Sequence, residues 1–167
     1  LGQKKRIEAV KEELGLSFDC EMIDVRYDER RRGSYADELH QQRGRRGLTR
    51  EDAIRQLKST TFFAPMMVRM GDADGYLGGI SHQYPDIVKP CLQVIGPDPN
   101  SHRIVGMYMM TVNGQLMFIG DATIHIYPDA RTLAEIAIQT AKVAKRFGVK
   151  PKVAMLSFSN FGTSAEM

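Results

Sequence analysis

Hydrophobic and polar positions change rhythm several times along this chain. The stretch from Lys4 to Leu14 predicts a helix, with Gly15 as its C-terminal stop. The apolar run Met22-Ile23-Asp24-Val25 reads as a short strand. Ser34 is placed to cap a helix that runs through Leu39 to about Arg43, and Gly47 breaks that pattern. Thr49 then caps a further helix, with Asp52 three residues on in a capping-box-like arrangement and Ala53, Ile54 and Leu57 as the apolar stripe. Phe62 to Met70 predicts another helix, with Pro65 in its first turn. A glycine-rich segment, Gly71 to Gly79, follows, and Pro85 to Ile95 is helical with a kink or break expected at Pro90.

The second part of the chain begins differently. Ile104 to Val112 is apolar and rich in strand formers, Asn113-Gly114 is a strong hairpin signal, and Gln115 to Ile119 supplies the partner strand. Thr132 to Phe147 is an amphipathic helix stopped by Gly148, and Val153 to Leu156 reads as a short buried strand. Helices alternating with strands argue for an α/β protein. Turn-formers cluster at Gly96-Pro97-Asp98-Pro99-Asn100, where a boundary is expected.

Composition narrows the function classes. A chain of 167 residues can bury a real core, and a net charge of +3 is too small to argue for nucleic acid. The charge is uneven, however: eight arginines face four acids between Arg26 and Arg50, a local basic surface suited to phosphates or to solvent. Cys20 and Cys91 form no CxxC pair, so neither a zinc site nor a disulfide framework is signalled, and a cytoplasmic location is the default. No apolar run approaches the roughly 18 residues of a membrane span, and no signal peptide is visible. The histidines are scattered, and only His82, in the glycine-rich segment, is a candidate for chemistry. The ten methionines fall mostly in apolar runs, as at Met107, Met109 and Met110, and read as core.

Two segments can hold a ligand. In the first, Asp74 to His82, glycines at Gly75, Gly78 and Gly79 let backbone N–H groups approach an anion, Ser81 and His82 add polar groups, and a helix follows. The spacing matches no complete phosphate-loop pattern, so a tight turn without a ligand fits it equally. The second is Ser157 to Thr163, where Ser157, Ser159, Asn160, Gly162 and Thr163 follow a predicted strand; a capped helix start fits there too. No catalytic triad or paired-carboxylate signature stands out.

Several stretches resemble the phosphate acetyltransferase family in order and spacing. They are Tyr35 to Leu39 with Arg43, Arg46-Gly47-Leu48-Thr49, Pro65 to Val68, Gly71 to Gly75, Asp86 with Pro90 to Gly96, and Lys152 to Ser157. Gly106 to Met110, Asp121-Ala122-Thr123 and Ser157 to Gly162 look more like the version fused behind bacterial malic enzymes. The resemblance implies a three-layer α/β/α fold in two lobes of the isocitrate/isopropylmalate dehydrogenase-like type. Residues 1–96 would be part of the first lobe and 97–167 part of the second, with hairpin, helix and strand.

It also assigns roles. Arg43 matches a family arginine implicated in catalysis and substrate binding, and Lys89 stands where active transferases carry a second arginine. Gln83, Tyr84 and Ile87 replace small hydroxyl residues. The family's later motif, with its serine, arginine and aspartate, falls beyond Met167. Leu1 is not an initiator methionine, so a piece of a longer protein is expected.

The leading expectation is therefore a regulatory domain of a malic enzyme, inactive by itself, that binds acetyl-CoA as an allosteric ligand. The oxidative decarboxylation of malate to pyruvate, with NAD(P) and a divalent metal, would belong to a separate malic enzyme unit. The expected acetyl-CoA or phosphate contacts are Arg43, Asp74, Gly75, Gly78, Gly79, Ser81, His82, Lys89, Asp121, Ser157, Ser159, Asn160, Gly162 and Thr163. A homo-oligomer, at least a dimer, is implied, with no nucleic-acid or membrane partner. The alternative is a fragment of a true phosphate acetyltransferase, which moves acetyl between coenzyme A and phosphate.

Overall fold

Residues 1–99, 101 and 103–156 are described by the computed structural model. The chain separates into two units, Leu1–Gly96 and Pro97–Met167.

In the first unit, helix α1 covers Lys4–Glu13 and Gly15 adopts a left-handed conformation just past its end. Helix α2 spans Glu29–Arg43. Its cap is Asp28, whose carboxylate accepts the Arg31 N–H at 3.0 Å. Ser34 thus lies inside the helix, where its hydroxyl donates to the Arg31 carbonyl at 3.0 Å. The expected start at Ser34 is corrected because Glu-Arg-Arg-Arg has no apolar period to reveal a helix, although all four residues form helices readily. A short 3₁₀ turn, Gly44–Arg46, and left-handed Gly47 lead to helix α3, Arg50–Gln56. Thr49 caps α3 as expected, accepting the Asp52 N–H at 3.1 Å.

Helix α4 runs Thr60–Met70 behind its cap Ser59. Pro65 is then its sixth residue rather than part of the first turn. Helix α5, Tyr84–Val94, continues through Pro90 with no break. A proline there removes one ladder bond, but Pro90 is buried and α5 packs on α4, so tertiary packing outweighs the local cost. The core gathers Tyr35 and Leu39 of α2, Ala53 and Leu57 from α3 and its end, Phe63 and Met66 of α4, and Val94 of α5. Fully burying side chains of this size contributes about 1.5–3 kcal/mol each.

Ile23 and Val25 also enter this core, on either side of a half-buried Asp24. The alternation expected of a strand is present, yet the segment is not a strand. A ladder needs a neighbour, and the backbone bonds found there are one from the Gly2 N–H to the Ile23 carbonyl at 2.9 Å and a local turn bond from the Tyr27 N–H to the Asp24 carbonyl at 3.0 Å.

In the second unit, β1 (Met107–Val112) and β2 (Gln115–Gly120) pair antiparallel, with Tyr108 opposite Ile119 and Met110 opposite Met117. Asn113 and Gly114 both take positive φ, 49° and 76°, as a two-residue hairpin turn of the primed type requires. Helix α6, Ala130–Arg146, is capped by Asp129, which accepts the Thr132 N–H at 2.7 Å. It packs against β2: Phe118 and Phe147 stack at 5.7 Å, and a side chain on Gly120 would meet Ile136 and Thr140. Pleat alternation puts Tyr108, Met110, Val112, Met117 and Ile119 together on the other face, and all five are exposed. Met110 is therefore not core, and Met109 on the opposite face is exposed as well, a correction to the sequence reading.

Val153 to Leu156 is corrected as well: it pairs with no strand, and Leu156 is 89% exposed. Its apolar run signals a preference for burial, but a strand also needs a neighbouring strand to pair with. Among the described residues strand pairing is confined to the hairpin, and no helix is long and apolar enough to cross a membrane.

Candidate functional site

Arg43 ends α2, and its guanidinium donates to the Gln93 carbonyl at 3.4 Å near the end of α5. Beside it, the Gln42 amide donates to the Val94 carbonyl at 3.2 Å. Arg69, from the last turn of α4, donates to the same carbonyl at 3.3 Å and pairs with Glu38 at 2.7 Å. Carbonyls in the last turn of a helix have no partner within it, and cations complement the helix dipole there. Lys89 is exposed one helical turn before Gln93.

The glycine-rich segment leads into the other end of α5. Gly75, Gly78, Gly79, Asp74, Ser81 and His82 are all exposed. Ser81 and His82 approach within 3.4 Å of each other. Two of the glycines have conformational reasons that need no ligand. A side chain at Gly78 would meet the Tyr76 hydroxyl at 2.6 Å, and Gly79 has φ +131°. Burial and the nearby Cys91 raise the Tyr76 phenol, and burial pushes the Cys91 thiol up. A thiol raised in this way is a poor nucleophile. The structure thus groups Arg43 and Lys89 with the C-terminal half of α5, and the glycine-rich segment with its N-terminal end.

Half of the basic run is spoken for. Arg26 pairs with Asp24 at 2.5 Å, Arg31 with Glu21 and Asp28 at 3.1 Å, and Arg50 with Asp37 at 2.5 Å. Arg32 donates to the Val25 carbonyl at 2.9 Å. Among the described residues Arg30, Arg43, Arg45 and Arg46 carry no ion pair. A continuous cationic surface is therefore reduced to a few positions, which weakens any polyanion reading.

Two polar groupings escaped the sequence reading. Tyr35, buried against Phe63 with ring centroids 5.0 Å apart, donates its hydroxyl to Asp72. Burial first, and Asp72 second, raise that phenol far above its ordinary range. An open hollow of about 530 Å³ lies there, lined by Arg30, Arg31, Ser34, Tyr35 and Asp72 among others. No local motif announces a contact across 37 positions.

The other grouping is in the second unit. The Asp121 side chain has no exposed surface. It accepts the N–H groups of Thr123 at 2.9 Å, Ile124 at 3.0 Å and His125 at 3.2 Å, and meets His125 Nδ1 at 2.7 Å. The spacing of four between Asp121 and His125 was the available signal. Asp121 thereby organises its own turn. Ser157, Ser159, Asn160, Gly162 and Thr163 lie outside the described residues. Among the described residues no group of three or more His, Cys, Asp or Glu side chains is arranged to hold a metal ion.

A family model described as phosphate acetyl/butaryl transferase matches residues 1–167. A phosphate acetyltransferase of Staphylococcus epidermidis is 40% identical over 116 residues, which are 70% of this chain and 35% of the relative. One from Staphylococcus aureus is 33% identical over 98% of this chain and 50% of its own length. One from Helicobacter pylori is 32% identical over 99% of this chain and 32% of its own. The chain thus spans about a third to a half of these relatives.

The solved phosphotransacetylase of Staphylococcus aureus superposes with a TM-score of 0.79 at 33% identity, over 98% of this chain and 49% of that one. That of Streptococcus pyogenes gives 0.76 at 34%, over 98% and 50%. Helices with a small sheet, in an α/β fold similar to these structures, are thereby shown.

These relatives overturn the expectation of a malic-enzyme regulatory module, and with it the oxidoreductase and allosteric reading. The features that favoured it do not separate the alternatives. Lysine at position 89 keeps the positive charge that an arginine would supply, and Ser157 to Gly162 lies outside the described residues.

Proposed function

The chain belongs to the phosphate acetyl/butaryl transferase family, and on that premise we propose that the protein carrying it transfers an acetyl group between coenzyme A and phosphate. The family match along the whole chain carries this reading. In it, the two units are parts of the two lobes of a three-layer α/β/α transferase, and two copies of the protein associate.

The reaction sets clear demands. A phosphate oxygen attacks the thioester carbonyl carbon of acetyl-CoA, and the carbonyl electrons move onto oxygen. As that intermediate collapses, the C–S bond breaks, the sulfur leaves as a thiolate that takes up a proton, and acetyl phosphate forms. Both substrates are anionic and further negative charge develops on the carbonyl oxygen, so positioned cations stabilise the transition state. Arg43, which reaches the Gln93 carbonyl of α5, and Lys89, one turn before Gln93, are suited to this work. Lysine serves a phosphate as a point charge, without the two-bonded grip of a guanidinium. Backbone N–H groups of Gly75 to His82, before the N-terminus of α5, suit a second anionic group. Asp121 contributes by fixing its turn.

The test is phosphate-dependent release of coenzyme A from acetyl-CoA by the natural full-length protein, followed with a thiol reagent. Turnover that depends on phosphate is expected, with Arg43→Ala lowering kcat/KM about 100-fold. A rate no higher than the buffer control, in protein shown to be folded, rejects the reading.

A further inference from the structure

The C-terminal end of α5 is gripped by three donors on two carbonyls. Gln42 and Arg69 share the Val94 carbonyl at 3.2 and 3.3 Å, and Arg43 takes the Gln93 carbonyl at 3.4 Å. Adjacent residues of α2 therefore reach adjacent carbonyls of α5. Arg69 ties this arrangement to α4 and back to α2: its Nε and one terminal nitrogen donate to the same Glu38 oxygen, at 2.9 and 2.7 Å. Glu38 stands one helical turn before Gln42 on α2, so the two share a face. The Arg69 and Glu38 side chains are 31% and 29% exposed, so the pair is shielded from water more than an ordinary surface pair.

The contacts differ in what they leave over. All of the donors described for Arg69 are used inward. Arg43 spends one terminal nitrogen on a carbonyl and meets no carboxylate among the described residues, so its charge is uncompensated and the rest of its fork is available. A long arginine side chain has many rotamers, and fixing one before a ligand arrives lowers the entropy lost on binding. The register between the ends of α2 and α5 decides where Arg43 finds its carbonyl. Arg69 and Glu38 set that register.

The geometry points to Arg69, through its pairing with Glu38 and its bond to Val94, as a positioning residue that aims Arg43 at an anionic ligand. This inference rests on the reading of Arg43 as an anion-binding group of the transferase. It assigns Arg69 no contact with substrate.

A double-mutant cycle on acetyl-CoA affinity tests it, measured by titration calorimetry on the natural full-length protein. Arg69→Met is expected to weaken binding roughly threefold to tenfold when Arg43 is present. In an Arg43→Ala background the same change should have no further effect, because nothing remains to be aimed. Equal losses in both backgrounds, or no loss with Arg43 present, overturn the inference and leave the transferase reading standing. Failure of the unsubstituted protein to bind acetyl-CoA, or an unchanged affinity in Arg43→Ala, instead removes the reading of Arg43 and this inference with it. If Arg69→Met does not fold, Glu38→Gln takes its place in the same cycle. That change frees the Arg69 fork while leaving its bond to the Val94 carbonyl, and the same outcomes decide.

Discussion

Asp121 shows how much of one side chain's surroundings only the folded chain supplies. Its sequence context marks it as a ligand contact, but its carboxylate is buried and engaged by three backbone N–H groups and by His125. Burial raises its pKa, yet those donors outweigh burial and hold it below the ordinary 3.8. A lowered folded pKa gives stability that is complete above the unfolded value and is lost as pH falls through the folded one. The acid limb contributed by Asp121 therefore lies below pH 3.8. Asp121→Asn is expected to cost about 1–3 kcal/mol in urea unfolding at pH 7, because buried donors lose a charged acceptor. The variant should also lose stability less steeply below that pH; an equal cost at every pH would count against the carboxylate's role. Arg43 carries an expected ligand role from the sequence, whereas the pairings of Arg69 and Tyr35 were not legible there. Their partners lie 31 and 37 positions away along the chain, and no local periodicity encodes such pairs.

At the scale of elements, polar punctuation was legible, as local chemistry, at Thr49 and at Asn113-Gly114, though not at Asp28. Thr49 caps α3, and its hydroxyl also reaches the Asp52 carboxylate at 2.7 Å. Thr49→Ala should lower stability by about 1 kcal/mol in urea unfolding, and Thr49→Ser should restore most of it. No loss on Thr49→Ala would show that α3 is held by Ala53 and Leu57 packing alone. Asn113-Gly114 succeeded for the same reason: positive φ at two successive residues is a property of those residues, whatever surrounds them. Most of the failures have the opposite cause. A helix that tolerates Pro90, and apolar segments at Met22 to Val25 and Val153 to Leu156 that form no ladder, depend on neighbours distant in sequence, whereas the charged start of α2 behind Asp28 was missed because it has no apolar period.

For the whole molecule, the uncovered hairpin face is the main consequence. Tyr108, Met110, Val112, Met117 and Ile119 carry no charge, so a second copy could meet them without like-charge repulsion. In keeping with the proposed association of two copies, the natural protein should show at least a dimeric mass by light scattering, and Met110→Lys with Met117→Lys should raise the monomer fraction. A monomeric mass for the unsubstituted protein at tens of micromolar would reject the pairing. The sequence by itself determined the phosphate acetyltransferase family, the Thr49 cap, the Asn113-Gly114 turn and the alternation at Ile23 and Val25, because these are carried by residue type and short spacing. The tertiary structure decided which apolar segments find strand partners, which arginines are paired and which keep their charge available, and where Asp121 spends its carboxylate. Hydrogen bonds and ion pairs are short-ranged, and only folding brings such distant groups within a few ångströms.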